Sequence, residues 1–164
     1  SDVCSSDLYL HGQGIIHRDL KPGNVLVRSL DPSSSPMCKI SDFGEAREIG
    51  NIEQTMKMTT GVGTPFYMAP ELLQGQTHYT KAVDVYSYGV MSSQVYTGSL
   101  KYDDVSFDNI YSFVTKVCEG LRPSLRDCPQ SICPLIESCW DGTPSNRPSF
   151  SDIVKTLREL SQSS

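Results

Sequence analysis

The sequence predicts an α+β chain, mostly α-helical, in which a small sheet region comes first and the helical bulk follows. Three observations predict it. Short β-branched or aliphatic runs fill the early part of the chain, and segments with helical spacing fill everything beyond Thr80. Between them, Glu45 to Thr64 holds three glycines and four threonines, and reads as one long functional loop without regular structure. At 164 residues the chain suits one domain.

The strand candidates are Ile15-Ile16, Val25-Leu26-Val27 and Cys38-Lys39-Ile40-Ser41. Ser29 to Met37, with Asp31-Pro32 and a run of serines, reads as a hairpin loop joining the last two. Thr80 can cap a helix through Thr97, with Gly98 placed to end it. Val83, Val85, Tyr86, Val90, Met91, Val95 and Tyr96 cover most of its circumference, which predicts a buried central helix. Asp108 to Glu119 carries Ile110, Phe113, Val114 and Val117 at helical spacing and closes on Gly120. Ser131 to Trp140 puts Ile132, Leu135, Ile136 and Cys139 on one face. Ser149-x-x-Asp152 is a capping-box pattern with Ile153, Leu157 and Leu160 behind it. No internal repeat or low-complexity tract interrupts this order.

Fourteen Lys and Arg against nineteen Asp and Glu give a net charge of -5, which argues against nucleic acid or an anionic membrane as the main partner. No apolar run approaches the roughly 20 residues of a membrane helix, and no secretory signal pattern is visible. The six cysteines form no C-x-x-C pair, so they are expected to be free thiols of a cytoplasmic protein.

Ser1 to Leu8, SDVCSSDL, has no periodicity and no cap leading into the chain from Tyr9 onward. Translation of TCAGACGTGTGCTCTTCCGATCT, which closely resembles a common sequencing adapter, gives those residues in one frame. Residues 1–8 are therefore expected to be non-native, with Cys4 carrying no biological meaning. The domain is then expected over 9–161, with 162–164 as a tail.

The chemistry concentrates in His17-Arg18-Asp19-Leu20-Lys21-Pro22-Gly23-Asn24, a loop held between two strand-like runs. An Asp, a Lys two positions on and an Asn five positions on bring a base, a cation and a metal ligand into one turn. Eighteen residues after Asn24 comes Asp42-Phe43-Gly44, whose carboxylate can face the Asn and share a hard cation such as Mg²⁺ with it.

These motifs make the chain similar to the eukaryotic protein kinases. The H-R-D-x-x-x-x-N catalytic-loop pattern matches His17 to Asn24 (17–24), D-F-G matches Asp42 to Gly44, and A-P-E matches Ala69 to Glu71, closing an activation segment over 42–71. The resemblance extends through Asp84 and Arg147-Pro148 and implies the carboxy-terminal lobe of that fold. It implies that Asp19 orients the proton of a substrate hydroxyl, that Lys21 neutralises charge on the transferred phosphoryl group, and that Asn24 and Asp42 hold Mg²⁺ against ATP. Leu26 is expected beneath the adenine, and Thr64 against Asp19 and Lys21 in the peptide-docking floor. His17 and Phe43 are expected to stack in the core, Asp84 to receive backbone N–H groups of the catalytic loop, and Glu71 to pair with Arg147. Arg18 is expected to await a phosphate on the activation segment, with Thr55, Thr59 and Thr60 as acceptors. His11 and His78 match no catalytic role.

Lys21 and Thr64-Pro65 resemble serine/threonine kinases, while Asp84 to Gly89, Cys139-Trp140 and Asn146 to Phe150 resemble tyrosine-kinase-like sequences. That mixture implies a Ser/Thr-specific member of the tyrosine-kinase-like group. No G-x-G-x-x-G occurs, so the amino-terminal lobe is expected to be absent and the fragment inactive alone. The expected partners are a protein substrate, that missing lobe and additional domains. The alternative is a catalytically silent, lobe-only interaction module.

Overall fold

A computed structural model describes residues 2–29, 31, 38–48, 64–102 and 105–162. Helix outweighs strand throughout. Helix α1 (Asp2–Gly12) leads into strand β1 (Ile15–Ile16), then β2 (Val25–Val27), β3 (Cys38–Ile40) and β4 (Arg47–Glu48). Helices α2 (Pro70–Leu73), α3 (Ala82–Thr97), α4 (Ile110–Cys118), α5 (Cys133–Cys139) and α6 (Phe150–Gln162) come after them. Short 3-10 turns lie at Pro22–Asn24, Thr64–Tyr67 and Pro144–Asn146.

The strands form two antiparallel ladders, one nested in the other. β2 pairs with β3, Val25 opposite Ile40 and Val27 opposite Cys38, which makes the expected hairpin. β1 pairs with β4, Ile15 opposite Glu48 and Ile16 opposite Arg47. Residues 17–24 and residues 41–46 therefore both run from one ladder to the other, side by side. β4 lies inside the stretch expected to be irregular. Arg47 and Glu48 carry no strand signal of their own, and their pairing is imposed by β1.

α3 is the central helix. Val83, Val85, Tyr86, Val90 and Met91 are each at most 5% exposed. Gly98, at φ 74, ends it in the left-handed conformation that glycine adopts without strain. Its last turn departs from the expected burial: Val95 is 69% and Tyr96 46% exposed. The apolar wheel runs past the point where other elements cover the helix. Against α5 the fit is backbone to backbone, for a Cβ at Gly89 would stand 2.9 Å from the Cys139 Cβ and 3.3 Å from the Ile136 carbonyl. The capping box opens α6 as expected: the Ser149 N–H donates to Asp152 Oδ2 at 3.1 Å, and the Asp152 N–H donates to Ser149 Oγ at 3.2 Å.

α1 crosses the boundary expected at Tyr9 without a break, running back to Asp2. Asp7 and His11, one helical turn apart, are both buried. Cys38, Cys118, Cys128, Cys133 and Cys139 are free thiols. Among the described residues no helix is long and apolar enough to cross a membrane.

Candidate active site

The loop between β1 and β2 is anchored from below by one carboxylate. Asp84, fully buried in the first turn of α3, accepts the His17 N–H on Oδ2 and the Arg18 N–H on Oδ1, each at 2.8 Å. His11 Nε2 lies 2.8 Å from the same Oδ2. Nothing in the sequence points to His11 as a support of this loop, because its partner stands 73 positions away.

Arg18 has φ 67, a left-handed conformation unfavourable for a residue with a Cβ. Its backbone N–H is tied to Asp84, and its side chain is tied elsewhere. Nε donates to the Glu45 carbonyl at 2.6 Å, one terminal nitrogen donates to the Tyr79 hydroxyl at 2.7 Å, and the other reaches Glu45 Oε2 at 3.4 Å. The guanidinium expected to await a phosphate is thus held by Tyr79 and Glu45, two residues the sequence did not single out.

Above this anchor, Asp19, Lys21 and Asn24 meet. Lys21 Nζ donates to Asp19 Oδ2 at 2.7 Å. Asn24 Nδ2 donates to the same oxygen at 2.9 Å and to the Asp19 carbonyl at 2.8 Å. Pro22, with its fixed φ, starts the 3-10 turn that brings Asn24 back over Asp19. Among the described residues, one Asp19 oxygen is occupied by a cation and an amide, and the other is left to accept. The Asp19 side chain is 10% exposed and that of Lys21 26%, so the pair is largely shielded from water.

The second loop is stitched to the first. Asn24's carbonyl accepts the Ser41 N–H at 2.9 Å and the Ser41 hydroxyl at 3.1 Å, and His17 Nε2 lies 3.1 Å from the Ser41 carbonyl. Asp42 comes directly after, exposed and at φ 61, with Oδ1 accepting the Gly44 N–H at 3.3 Å. The Phe43 ring meets His17 edge to face at 5.2 Å. His17 is fully buried, but Phe43 is 48% exposed, so the pair does not stack within the core as expected. Leu26, expected under the adenine, is 57% exposed on β2.

The floor is tied down from the far side. Arg147 grips Glu71 with both terminal nitrogens, at 2.7 and 2.9 Å, and also donates to the carbonyls of Asp141 and Ala82. Its guanidinium lies over the Tyr86 ring at 5.0 Å, as does that of Arg122. Burial pushes the Tyr86 hydroxyl up to about 12, against the opposing pull of both arginines. The Thr64–Tyr67 turn joins α3 through Ser87 Oγ, which donates to the Tyr67 carbonyl at 2.8 Å, and through the Tyr67 hydroxyl, which donates to Gln94 at 2.6 Å. The Thr64 side chain, Thr55, Thr59 and Thr60 lie outside the described residues.

The donor set fits Mg²⁺. Asn24 spends its amide nitrogen on Asp19, so its amide oxygen would be the atom to meet a metal, and Asp42 would add a carboxylate; both are hard oxygens. Among the described residues no group of three or more His, Cys, Asp or Glu forms a dedicated metal cage. A pair of oxygen side chains suits an ion that completes its shell with water and phosphate oxygens.

The sequence model of the protein kinase domain matches residues 2–157. The chain belongs to the protein kinase family. Among curated relatives from Dictyostelium discoideum, a probable LIM domain-containing serine/threonine-protein kinase is 36% identical over 99% of this chain and 23% of its own length. The dual specificity protein kinase shkA is 41% identical over 97% of this chain and 30% of its own length. The RGS domain-containing serine/threonine-protein kinase A is 42% identical over 93% of this chain and 12% of its own length. The kinase chain thus spans less than a third of the length of these relatives. Protein kinases use ATP and Mg²⁺.

Proposed function

We propose that this chain is the carboxy-terminal lobe of a Ser/Thr-specific protein kinase of the tyrosine-kinase-like group. The observation that carries the reading is the Asp19 carboxylate held at once by Lys21 at 2.7 Å and Asn24 at 2.9 Å. Asp19 uses its remaining oxygen to orient a substrate hydroxyl and take up its proton, a role typically worth about 10²–10⁴ in rate. Lys21 keeps positive charge where the transferred phosphoryl group becomes more negative. Asn24 and Asp42 hold Mg²⁺, and Leu26 faces the adenine. When bound, ATP with Mg²⁺ supplies the phosphoryl group and the compact charge that neutralises it. Arg18 receives the activation-segment phosphate, on Thr55, Thr59 or Thr60, by exchanging it for Tyr79 and Glu45.

Ser/Thr specificity rests on Lys21, on Thr64-Pro65, and on relatives whose names describe serine/threonine or dual-specificity kinases. The whole protein carries the amino-terminal lobe and further domains, acts on protein substrates in the cytoplasm, and does not act on nucleic acid. The 164-residue chain by itself is silent, since it contains no glycine-rich phosphate loop.

The test is phosphate transfer from ATP to protein by the full-length gene product, with phosphoamino-acid analysis. Asp19→Asn is expected to lower transfer by about 10²–10⁴ with the fold intact. Unchanged transfer in that variant overturns the assignment of Asp19, and label confined to phosphotyrosine overturns the Ser/Thr reading.

A further inference from the structure

Beside the Thr64–Tyr67 turn the chain builds a second concave surface, lined by aromatic and aliphatic residues with no charged side chain among them. Phe66 from that turn, Leu100 and Tyr102 from the segment after α3, and Val105 and Phe107 ahead of α4 surround a cavity of about 420 Å³. The three rings lean on Phe113 of α4, which is 1% exposed. Its centroid lies 4.7 Å from that of Phe66, 5.2 Å from Phe107 and 5.6 Å from Tyr102, each pair edge to face. Backbone hydrogen bonds fix the rim. The Ser124 N–H donates to the Lys101 carbonyl at 2.8 Å, and the Val105 N–H donates to the Tyr102 carbonyl at 3.3 Å. All five lining residues are only partly buried, so the bowl is built in advance and can be reached from outside.

This cavity shares the Thr64–Tyr67 turn with the catalytic side of the chain. α3 sets the spacing between them. Asp84 carries the backbone of the catalytic loop, and Ser87, one turn and about 4.5 Å further along, donates to the Tyr67 carbonyl at 2.8 Å. An extended peptide with its hydroxyl at Asp19 and its backbone on Thr64-Pro65 has Phe66 and the bowl beside it. Such a peptide advances about 3.3 Å per residue and turns alternate side chains to one face.

We propose that this cavity takes a large apolar side chain of the protein substrate, aromatic by preference, near the Ser or Thr that receives phosphate. The inference rests on the reading of Thr64-Pro65 as the peptide-docking floor. Phe66, Tyr102 and Phe107 offer an incoming ring the same edge-to-face contacts that they make with Phe113. A charged side chain would give up its water there and meet no counter-charge in the lining.

The test presents the full-length gene product with ATP and a positional-scanning peptide library built around a fixed Ser or Thr. One position is expected to favour Phe, Tyr, Trp or Leu over Ser and Asp by about tenfold or more. Val105→Glu is expected to collapse that ratio and to raise Lys and Arg at the same position, because it sets a carboxylate at the cavity. Transfer with no apolar preference at any position overturns this inference alone. An apolar preference that Val105→Glu leaves unchanged also overturns it, since the selecting surface then lies elsewhere. Absence of transfer to every peptide removes the kinase reading and this inference with it. If Val105→Glu does not fold, Phe107→Ala takes its place, with loss of the preference expected and its persistence overturning the assignment.

Discussion

His11 and Asp84 lie 2.8 Å apart although 73 positions separate them, and through that contact α1 shares the carboxylate that holds the catalytic-loop backbone. Asp84→Ala strands the buried N–H groups of His17 and Arg18, each worth about 1–3 kcal/mol when unsatisfied. His11→Leu strands only one carboxylate oxygen that still has His17 to accept from. Urea unfolding is expected to rank Asp84→Ala well below His11→Leu. Equal losses would mean that α1 carries as much of the anchor as the loop does.

Arg147→Met leaves the Glu71 carboxylate buried without its partner and is expected to cost about 3–5 kcal/mol. Replacing both, as Glu71→Leu with Arg147→Met, removes the orphaned charge and is expected to cost less than either single change. A double-mutant cycle on the thermal midpoint reads the difference.

Gly89→Ala puts a Cβ 2.9 Å from the Cys139 Cβ and is expected to destabilise by about 1–3 kcal/mol. Cys139→Ala keeps the offending atom, so the double variant is expected to remain as unstable as Gly89→Ala alone. Recovery in the double variant would place the conflict at the sulfur instead.

Asp7 is fully buried, and among the described residues neither of its carboxylate oxygens has a hydrogen-bond partner. Burial, with the Asp84 charge nearby, raises it well above the ordinary carboxylate range. A carboxyl raised on folding takes up a proton there, so its contribution to stability falls as pH climbs from about 4 through the folded value. We propose that this slot is apolar by design and that residues 1–8 are not the natural ones. Asp7→Leu is expected to add about 1–3 kcal/mol at neutral pH and to flatten the fall in stability between acid and neutral pH. A Leu variant less stable than the parent would refute this. So would genomic sequence encoding SDVCSSDL in frame.

Asp19, Lys21 and Asn24 could be read as one turn because all three fall within six positions and Pro22 fixes the chain between them. The Ser149–Asp152 box was legible for the same local reason. β4 was not, since two polar residues become a strand only when β1 lies beside them. His11, Tyr79 and Glu45 were equally hidden. Their partners, Asp84 and Arg18, are brought close by tertiary folding and not by spacing along the chain. Val95 and Tyr96 show the opposite error, a pattern correct for a helix but silent about where its cover ends.

The nested ladders set how much length the chain can gain or lose. Residues 17–24 and 41–46 are both bridges between the same two short ladders, so adding or deleting one residue in either moves Asp19 out of step with Asp42. Length in the 28–37 span alters neither bridge, because the Val25–Ile40 and Val27–Cys38 pairs already set the register of β2 and β3. Insertions are free there and forbidden a few residues away. Natural variation in length should therefore collect in that span, making it the place to splice a tag or an epitope without disturbing the chemistry.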